Sequence, residues 1–114
     1  MELGLAGKVA LVTGSSRGIG RGIASRLAEE GASVVMCARG ADHLESAVSA
    51  VAGPGRAVGV VADVTSADGA DSAVGTAVAE FGGLDIVVNN VGGSGAKAFD
   101  GMDAALLKAV EANR

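Results

Sequence analysis

The sequence has no tyrosine and no tryptophan, and its only aromatic residues are two phenylalanines. Tyrosine is a common general acid or base in enzymes, so one frequent proton donor is missing from these 114 residues. Thirteen acidic against nine basic side chains give a formal net charge of −4. Few aromatics and a negative charge together argue against a general nucleic-acid-binding protein.

Cysteine, histidine and long apolar segments are also scarce. A single cysteine, Cys37, excludes an internal disulfide framework, and with a single histidine, His43, there is no zinc or iron–sulfur ligand cluster. We expect no metal site, with Cys37 a small buried strand residue and His43 an exposed helix residue. No apolar run is long enough to cross a bilayer and the N-terminus has no basic leader, which predicts a cytoplasmic protein without membrane contacts.

Glycine, in contrast, is abundant. Nineteen of the 114 residues are glycine, more than twice the usual share of ~7%. Neither a collagen-like period nor a linker tract accounts for them, so we interpret them as serving backbone geometry. The length, with 49% hydrophobic and 19% charged residues, predicts one globular domain over residues 1–114.

Four short valine-rich runs predict the strands of a sheet. They span residues 9–12, 34–37, 58–61 and 86–88. All lack polar alternation, which is typical of strands covered on both faces. Their starts are 25, 24 and 28 residues apart, room for a helix between each pair. This rhythm predicts an α/β fold with a parallel sheet.

The segments between the runs have helical periodicity. In the first, Ile19, Ile23 and Leu27 lie four residues apart and predict the buried face of a helix. In the second, Asp42, with a glutamate three residues later, predicts the cap at the helix N-terminus.

The third and fourth helices are predicted in the same way. Thr65 or Ser66 can cap the third helix. Its apolar face consists of Val74, Val78 and Phe81. The fourth helix is predicted over residues 103–113.

A glycine-rich turn joins the first strand to the first helix. From Thr13 to Gly20 it reads T-G-S-S-R-G-I-G. Free backbone N–H groups and the positive end of the helix dipole meet at such a turn, where a pyrophosphate can bind. The pattern differs from G-x-G-x-x-G and has no P-loop lysine. The candidate cofactor-binding residues here are Gly14, Ser16, Arg17, Gly18, Ile19 and Gly20.

This T-G-x-x-x-G-x-G motif resembles that of the short-chain dehydrogenase/reductase family, and the resemblance covers essentially the whole chain. It implies a Rossmann-like sheet of which these residues supply strand order 3-2-1-4. It also implies that Asp63 and Val64 lie at the adenine ring, and that Asn90 and Gly92 lie beside the ribose, in N-N-V-G where the family has N-N-A-G. Asn113 matches the position of the family's active-site asparagine. Taken singly, these residues also suit turns and caps.

The residue after the second strand bears on the choice of cofactor. A carboxylate there would bind the ribose hydroxyls of NAD and repel a 2′-phosphate. The sequence has Arg39 instead, whose guanidinium can bind a phosphate, so we expect NADP(H) to be favoured over NAD(H). Arg17 is a second candidate, and the resemblance supports both.

A second glycine-rich loop competes for the phosphate role. Residues 93–98 read G-S-G-A-K-A, which fits G-x-G-x-x-A and also follows a strand. No continuous helical pattern follows this loop, and the binding physics requires a helix N-terminus. We expect a mobile loop near the nicotinamide.

The family's proton-transfer residues are not found. They are a tyrosine, a lysine four residues later and a serine, and no such motif occurs here. One hypothesis is an NADP-dependent oxidoreductase acting on a small carbonyl or alcohol, of which these residues are the cofactor-binding N-terminal portion. The alternative is a non-catalytic nucleotide-binding or self-assembling fragment. A truncated sheet would leave the fourth strand as an apolar edge, so we expect a homo-oligomer.

Overall fold

Strands and helices alternate along the chain in the computed structural model, which describes residues 4–16, 18–51, 55–90 and 104–112, the last range without the side chains of 104–107. The strands are β1 (Val9–Thr13), β2 (Ser33–Ala38), β3 (Ala57–Val61) and β4 (Ile86–Val88). The helices are α1 (Gly18–Glu29), α2 (Leu44–Ser49), α3 (Ala67–Phe81) and α4 (Ala104–Ala112). All paired strands are parallel, in the order β3-β2-β1-β4. The predicted Rossmann-like α/β sheet with order 3-2-1-4 is confirmed.

The centre of this sheet is buried and its margins are not. Every residue of β1 is buried, and so is β2 from Val34 onward. In β3 and β4 no residue is fully buried, and Val61 is 51% exposed. The expectation that all four strands are covered on both faces is right for the central pair and wrong for β3 and β4, because strands at the margin lie under the edge of the helix layers.

Alternate side chains of the central strands enter two separate apolar layers. Leu11 and Val35 pack with Val74 of α3 on one face of the sheet. Val12 and Met36 pack with α1 and α2 on the other. Successive side chains of a strand point to opposite faces, so the two strands build both cores of a three-layer α/β/α arrangement.

The buried face of α1 differs from the predicted one. Its buried residues are Gly20, Ala24 and Ala28. Ile19 is 74% exposed, whereas Ile23 and Leu27 are half-buried at the margin of the core. The helix was predicted correctly and its buried face wrongly, because α1 lies so close to the sheet that small residues fit at the contact and branched ones do not.

The capping predictions had mixed outcomes. Ser66 caps α3 by accepting a hydrogen bond from the Gly69 N–H at 3.0 Å, as expected. The Asp42 cap is wrong, because His43 is the N-cap of α2 and makes no side-chain capping bond. His43 has φ 69°, a left-handed conformation that a non-glycine residue seldom adopts. The loop after β2 therefore enters α2 through backbone geometry and without a capping box.

The buried face of α3 also departs slightly from prediction. The buried residues of α3 are Ala70, Ala73, Val74 and Ala77. Val78 is 36% exposed, so the predicted stripe through Val78 is rotated relative to the true contact face. Helix α4, Ala104–Ala112, falls within the predicted range 103–113, whose first and last residues lie outside the described part of the chain. No helix within the described ranges is both long and apolar enough to span a bilayer.

Candidate nucleotide-binding site

The turn between β1 and α1, residues 13–20, is called the glycine turn below. β1 ends at Thr13 and α1 begins at Gly18, so the N-terminus of α1 faces the carboxyl edge of the sheet. Gly14 and Gly18 have φ values of 61° and 67°, where a side chain would be strained. The first turn of α1 has no acidic residue. The helix N-terminus is thus left with its positive electrostatic character.

Two glycines of the turn lie in tight contact with neighbouring backbone. A Cβ on Gly14 would overlap the carbonyl oxygen of Asn90. A Cβ on Gly20 would overlap the carbonyl oxygen of Gly14 and come within 2.7 Å of the Asn90 Nδ2 atom. The close approach of α1, the turn and the segment after β4 therefore depends on the absence of side chains at both positions.

Thr13 and Asn90 fasten the turn to the end of β4. The Asn90 N–H donates to the Thr13 Oγ1 atom at 2.7 Å, and the Thr13 hydroxyl donates to Asn89 Oδ1 at 3.1 Å. The Asn90 side-chain amide donates to the Gly14 carbonyl at 3.4 Å. Asn90, predicted as a cofactor-binding residue, thus holds the glycine turn in place. Sequence reasoning gave Thr13 no role of its own, although a buried threonine at a strand end is a signal for such a bond.

Ser15 fastens the same turn to β2. It is fully buried, and its hydroxyl donates to the Val12 carbonyl at 2.8 Å. Its N–H donates to the carbonyl of Cys37 at 3.1 Å. Sequence reasoning missed Ser15 too, because a polar residue in a glycine-rich turn reads as exposed. Ser16, next to it, is half-buried and stays at the rim of the turn.

Arg39, Asp63 and Thr65 form a second group, called the charged corner below. Arg39 follows β2 directly and Asp63 follows β3 by two residues, and the register pairs Ala38 with Val61. All three side chains of the corner are exposed. The N–H and hydroxyl of Thr65 donate to Asp63 Oδ1 at 3.0 and 2.5 Å. The pKa of Asp63 is lowered by these two bonds first and then by the positive charge of Arg39.

Val64 and Gly69 connect the charged corner to the hydrophobic core. The Val64 side chain is 1% exposed and packs in the layer beneath α3. Any contact of Val64 with a ligand would therefore use its main chain. A Cβ on Gly69 would overlap the carbonyl oxygen of Asp63. Gly69, which looks unfavourable in a helix, is required for α3 to start against the end of β3.

Cys37 lies between the glycine turn and the charged corner. Its thiol donates to the Ala62 carbonyl at 3.5 Å. Burial raises the pKa of Cys37 from 9.0 to about 11, and the charge of Asp63 adds to the rise. The thiol is thus protonated near neutral pH, which agrees with the prediction of a small buried strand residue. Within the ranges that the structure covers, no three histidine, cysteine or acidic side chains gather as a metal site requires.

The predicted site residues separate into three groups. Gly14, Ser16, Gly18, Ile19, Gly20 and Asn90 come together at the end of β1. Arg39, Asp63 and Val64 come together after β2 and β3. Arg17, Gly92 and Asn113, like the competing loop 93–98, lie outside the described residues. Both observed groups lie at the carboxyl edge of the sheet, where α/β proteins bind ligands.

Comparison with known proteins agrees with this arrangement. The family model for short-chain dehydrogenases matches residues 8–112. The chain belongs to the short-chain dehydrogenase family. Members of this family are oxidoreductases, and an uncharacterised oxidoreductase of Methylorubrum extorquens is 48% identical over 92 residues, 77% of this chain and 36% of that protein. The chain spans about a third of the length of the curated relatives it matches.

Two solved structures to which this chain is similar carry different cofactors. L-sorbose reductase from Gluconobacter frateurii, complexed with NADPH and L-sorbose, has a TM-score of 0.82 and 33% identity, covering 99% of this chain and 48% of that one. A xylitol dehydrogenase bound to NAD⁺ also has a TM-score of 0.82, with 32% identity over 96% of this chain and 49% of that one. Structural similarity to the family therefore leaves the choice between the two cofactors open.

Proposed function

We propose that the chain is an NADP(H)-binding domain of a short-chain dehydrogenase, extending over residues 1–114. The observation that carries this proposal is the meeting of two features at one sheet edge. The glycine turn offers the N-terminus of α1, and Arg39 offers a cation where the ribose of a dinucleotide would end.

The residues present fit the charge and shape of a dinucleotide. Apart from its chain neighbours and its own helix, Gly18 has no described atom within 4 Å of where its Cβ would stand, which leaves room beside Gly18 for a pyrophosphate. Asn90, Thr13 and Ser15 keep the turn rigid from below. Ile19, 74% exposed on the first turn of α1, supplies an apolar surface beside the phosphate position. Gly14, Ser16, Arg17, Gly20 and Gly92 complete the binding residues of this proposal.

The choice of NADP(H) depends on the charged corner. The Arg39 side chain is exposed, and no acidic residue occurs in β2, which directly precedes it. A guanidinium binds a phosphate by two charge-assisted hydrogen bonds, which a ribose hydroxyl cannot match. Asp63 and the main chain of Val64 would line the adenine on the other side.

A bound nicotinamide cofactor would supply the hydride that reduces a small carbonyl compound, or would accept the hydride removed from an alcohol. This chain's described residues orient the cofactor and give no proton donor of the tyrosine type. Asn113 would assist in proton transfer as a positioning residue. We propose that residues 1–114 bind the cofactor without catalysing hydride transfer by themselves.

Titration with NADPH and NADH tests the proposed function. The chain contains no tryptophan, so nicotinamide fluorescence can be followed without competing protein emission. We expect saturable binding of both nucleotides, about tenfold tighter for NADPH. Equal affinity or tighter NADH binding would contradict the cofactor preference, and no binding of either would contradict the nucleotide site.

A self-assembling nucleotide-binding module is the second candidate, and one observation favours it. β4 pairs with β1 on one side, and in the described part of the chain no strand pairs with its other side. An apolar strand edge of this kind readily pairs with a second copy. This candidate predicts a dimer or larger assembly by light scattering at micromolar concentration, whereas a monomer would exclude it.

A further inference from the structure

Two opposite charges follow the adjacent ends of β2 and β3 at the charged corner. Arg39 comes one residue after β2 and Asp63 two residues after β3, and the Ala62 N–H donates to the Ala38 carbonyl at 2.9 Å. This bond holds the two strand ends together. A ligand group bound by Arg39 would therefore lie close to the carboxylate of Asp63.

Asp63 does not hold Arg39 by contact. Its Oδ1 atom accepts two hydrogen bonds, both from Thr65, and among the described residues no ion pair joins Asp63 to Arg39. The charge of Arg39 is nevertheless felt at Asp63, because it contributes to the lowered pKa of that carboxyl. Asp63 therefore acts on neighbouring charged groups through its own charge, and the hydrogen bonds from Thr65 hold its carboxylate in place.

A 2′-phosphate and a 2′-hydroxyl would respond differently to this field. The phosphate carries about two negative charges near neutral pH, so the carboxylate repels it while Arg39 attracts it. The hydroxyl is neutral and experiences little of either effect. The adenine, pyrophosphate and nicotinamide are common to both nucleotides, so their contacts cancel in the ratio of the two affinities.

We propose that Asp63, oriented by Thr65, is a specificity-determining residue that limits the preference for NADP(H) by opposing the phosphate that Arg39 attracts. This inference rests on the proposed NADP(H) site. It assigns to Asp63 an effect on the 2′-position in addition to any contact with the adenine.

The test compares NADPH and NADH affinities in the whole chain and its variants. Asp63→Asn removes the charge and keeps an Oδ1 acceptor for Thr65, so the fold is preserved. We expect the NADPH preference to rise about threefold to tenfold. Asp63→Glu keeps the charge and should stay near the unmodified ratio. Asp71→Asn, on the exposed surface of α3, is the control for net charge and should also leave the ratio unchanged.

Salt separates a charge effect from a structural one. The gain in Asp63→Asn should shrink as ionic strength rises, because screening weakens the interaction between exposed charges. A gain that is independent of salt, or one that Asp63→Glu shows equally, would overturn the inference. An unchanged NADPH preference in Asp63→Asn would also overturn the inference. A lower preference would overturn it too, because it would mean that Asp63 positions Arg39.

Arg39→Ala distinguishes this failure from failure of the proposed function. If Arg39→Ala loses the NADPH preference and Asp63→Asn leaves it unchanged, Arg39 binds the 2′-phosphate and only the role proposed for Asp63 is wrong. If Arg39→Ala also leaves the preference unchanged, the NADP(H) proposal fails and the inference about Asp63 falls with it.

Discussion

The glycine turn and the charged corner lie on one sheet edge but are built in opposite ways. Thr13 and Ser15 of the turn are fully buried and hydrogen-bonded to β4 and β2. Arg39 and Asp63 of the corner are exposed, and they interact through charge. The glycine turn is therefore inseparable from the fold, whereas the charged corner can change its selectivity at little cost to stability.

The largest effect is expected at Gly20. In Gly20→Ala the new methyl group meets the Gly14 carbonyl oxygen and the Asn90 side chain. We expect a loss of about 3 kcal/mol or more in unfolding free energy, measured by chemical denaturation with circular dichroism.

Gly22→Ala is the matched control in the same helix. No described atom outside its own helix lies within 4 Å of its Cβ position, so alanine should be neutral or stabilise by up to about 1 kcal/mol. Equal losses in the two variants would mean that helix propensity and not close packing determines the glycine requirement.

Thr13→Val tests the hydrogen bonds beneath the turn. The substitution keeps the shape of the side chain but leaves the N–H of the half-buried Asn90 without its acceptor. We expect a loss of about 1–2 kcal/mol in unfolding free energy, with weaker NADPH binding because the turn loosens.

Thr76→Val provides the comparison for Thr13→Val. The Thr76 hydroxyl donates to the Ser72 carbonyl of its own helix at 2.8 Å, so its loss leaves no N–H without an acceptor. A change within about 0.5 kcal/mol is expected. If both valine variants unfold alike, Thr13 does not fasten the turn.

Alkaline pH tests Cys37, which joins the two halves of the site. Its pKa is raised from 9.0 to about 11 in the folded chain. Above pH 9 the unfolded thiol ionises while the folded thiol stays protonated, so stability falls as the pH rises from 9 to 11. We expect Cys37 to account for a loss on the order of 1–2 kcal/mol.

The stability difference between the natural chain and Cys37→Ala isolates this effect from other titrating groups. The difference should be constant below pH 9 and should move in favour of Cys37→Ala above it. A difference that does not change between pH 8 and pH 11 would show that the folded thiol ionises normally.

Sequence reasoning recovered the sheet and much less of the packing around the site. The four valine-rich runs became four parallel strands, although only β1 and β2 are buried as a continuous apolar run predicts. The face of α1 was wrong because hydropathy ranks Ile19 above Gly20, whereas a close helix-to-sheet contact selects the smaller residue. The left-handed conformation of His43 has no local signal at all.

The glycine turn and the charged corner also differed in how much of each could be predicted from the sequence. The glycines of the turn were evident from their spacing, but the buried bonds of Thr13 and Ser15 depend on β4 and β2, which are distant in sequence. The link between Asp63 and Thr65 is local and could have been found, because an aspartate two residues before a threonine is a common turn pattern. Long-range contacts of polar residues therefore account for most of what was missed.

The assignment of Arg39 to the 2′-phosphate is tested most directly by the ratio of NADPH to NADH affinity in Arg39→Ala. Arg26→Ala is the control for the lost charge. Arg26 lies on α1 with an exposed side chain, and its guanidinium pairs with Glu30 at 3.2 Å. We predict that Arg39→Ala weakens NADPH binding about tenfold and leaves NADH binding nearly unchanged. In Arg26→Ala the ratio of the two affinities should stay close to that of the unmodified chain. Equal losses for NADPH and NADH in Arg39→Ala would contradict the assignment of Arg39 to the 2′-phosphate.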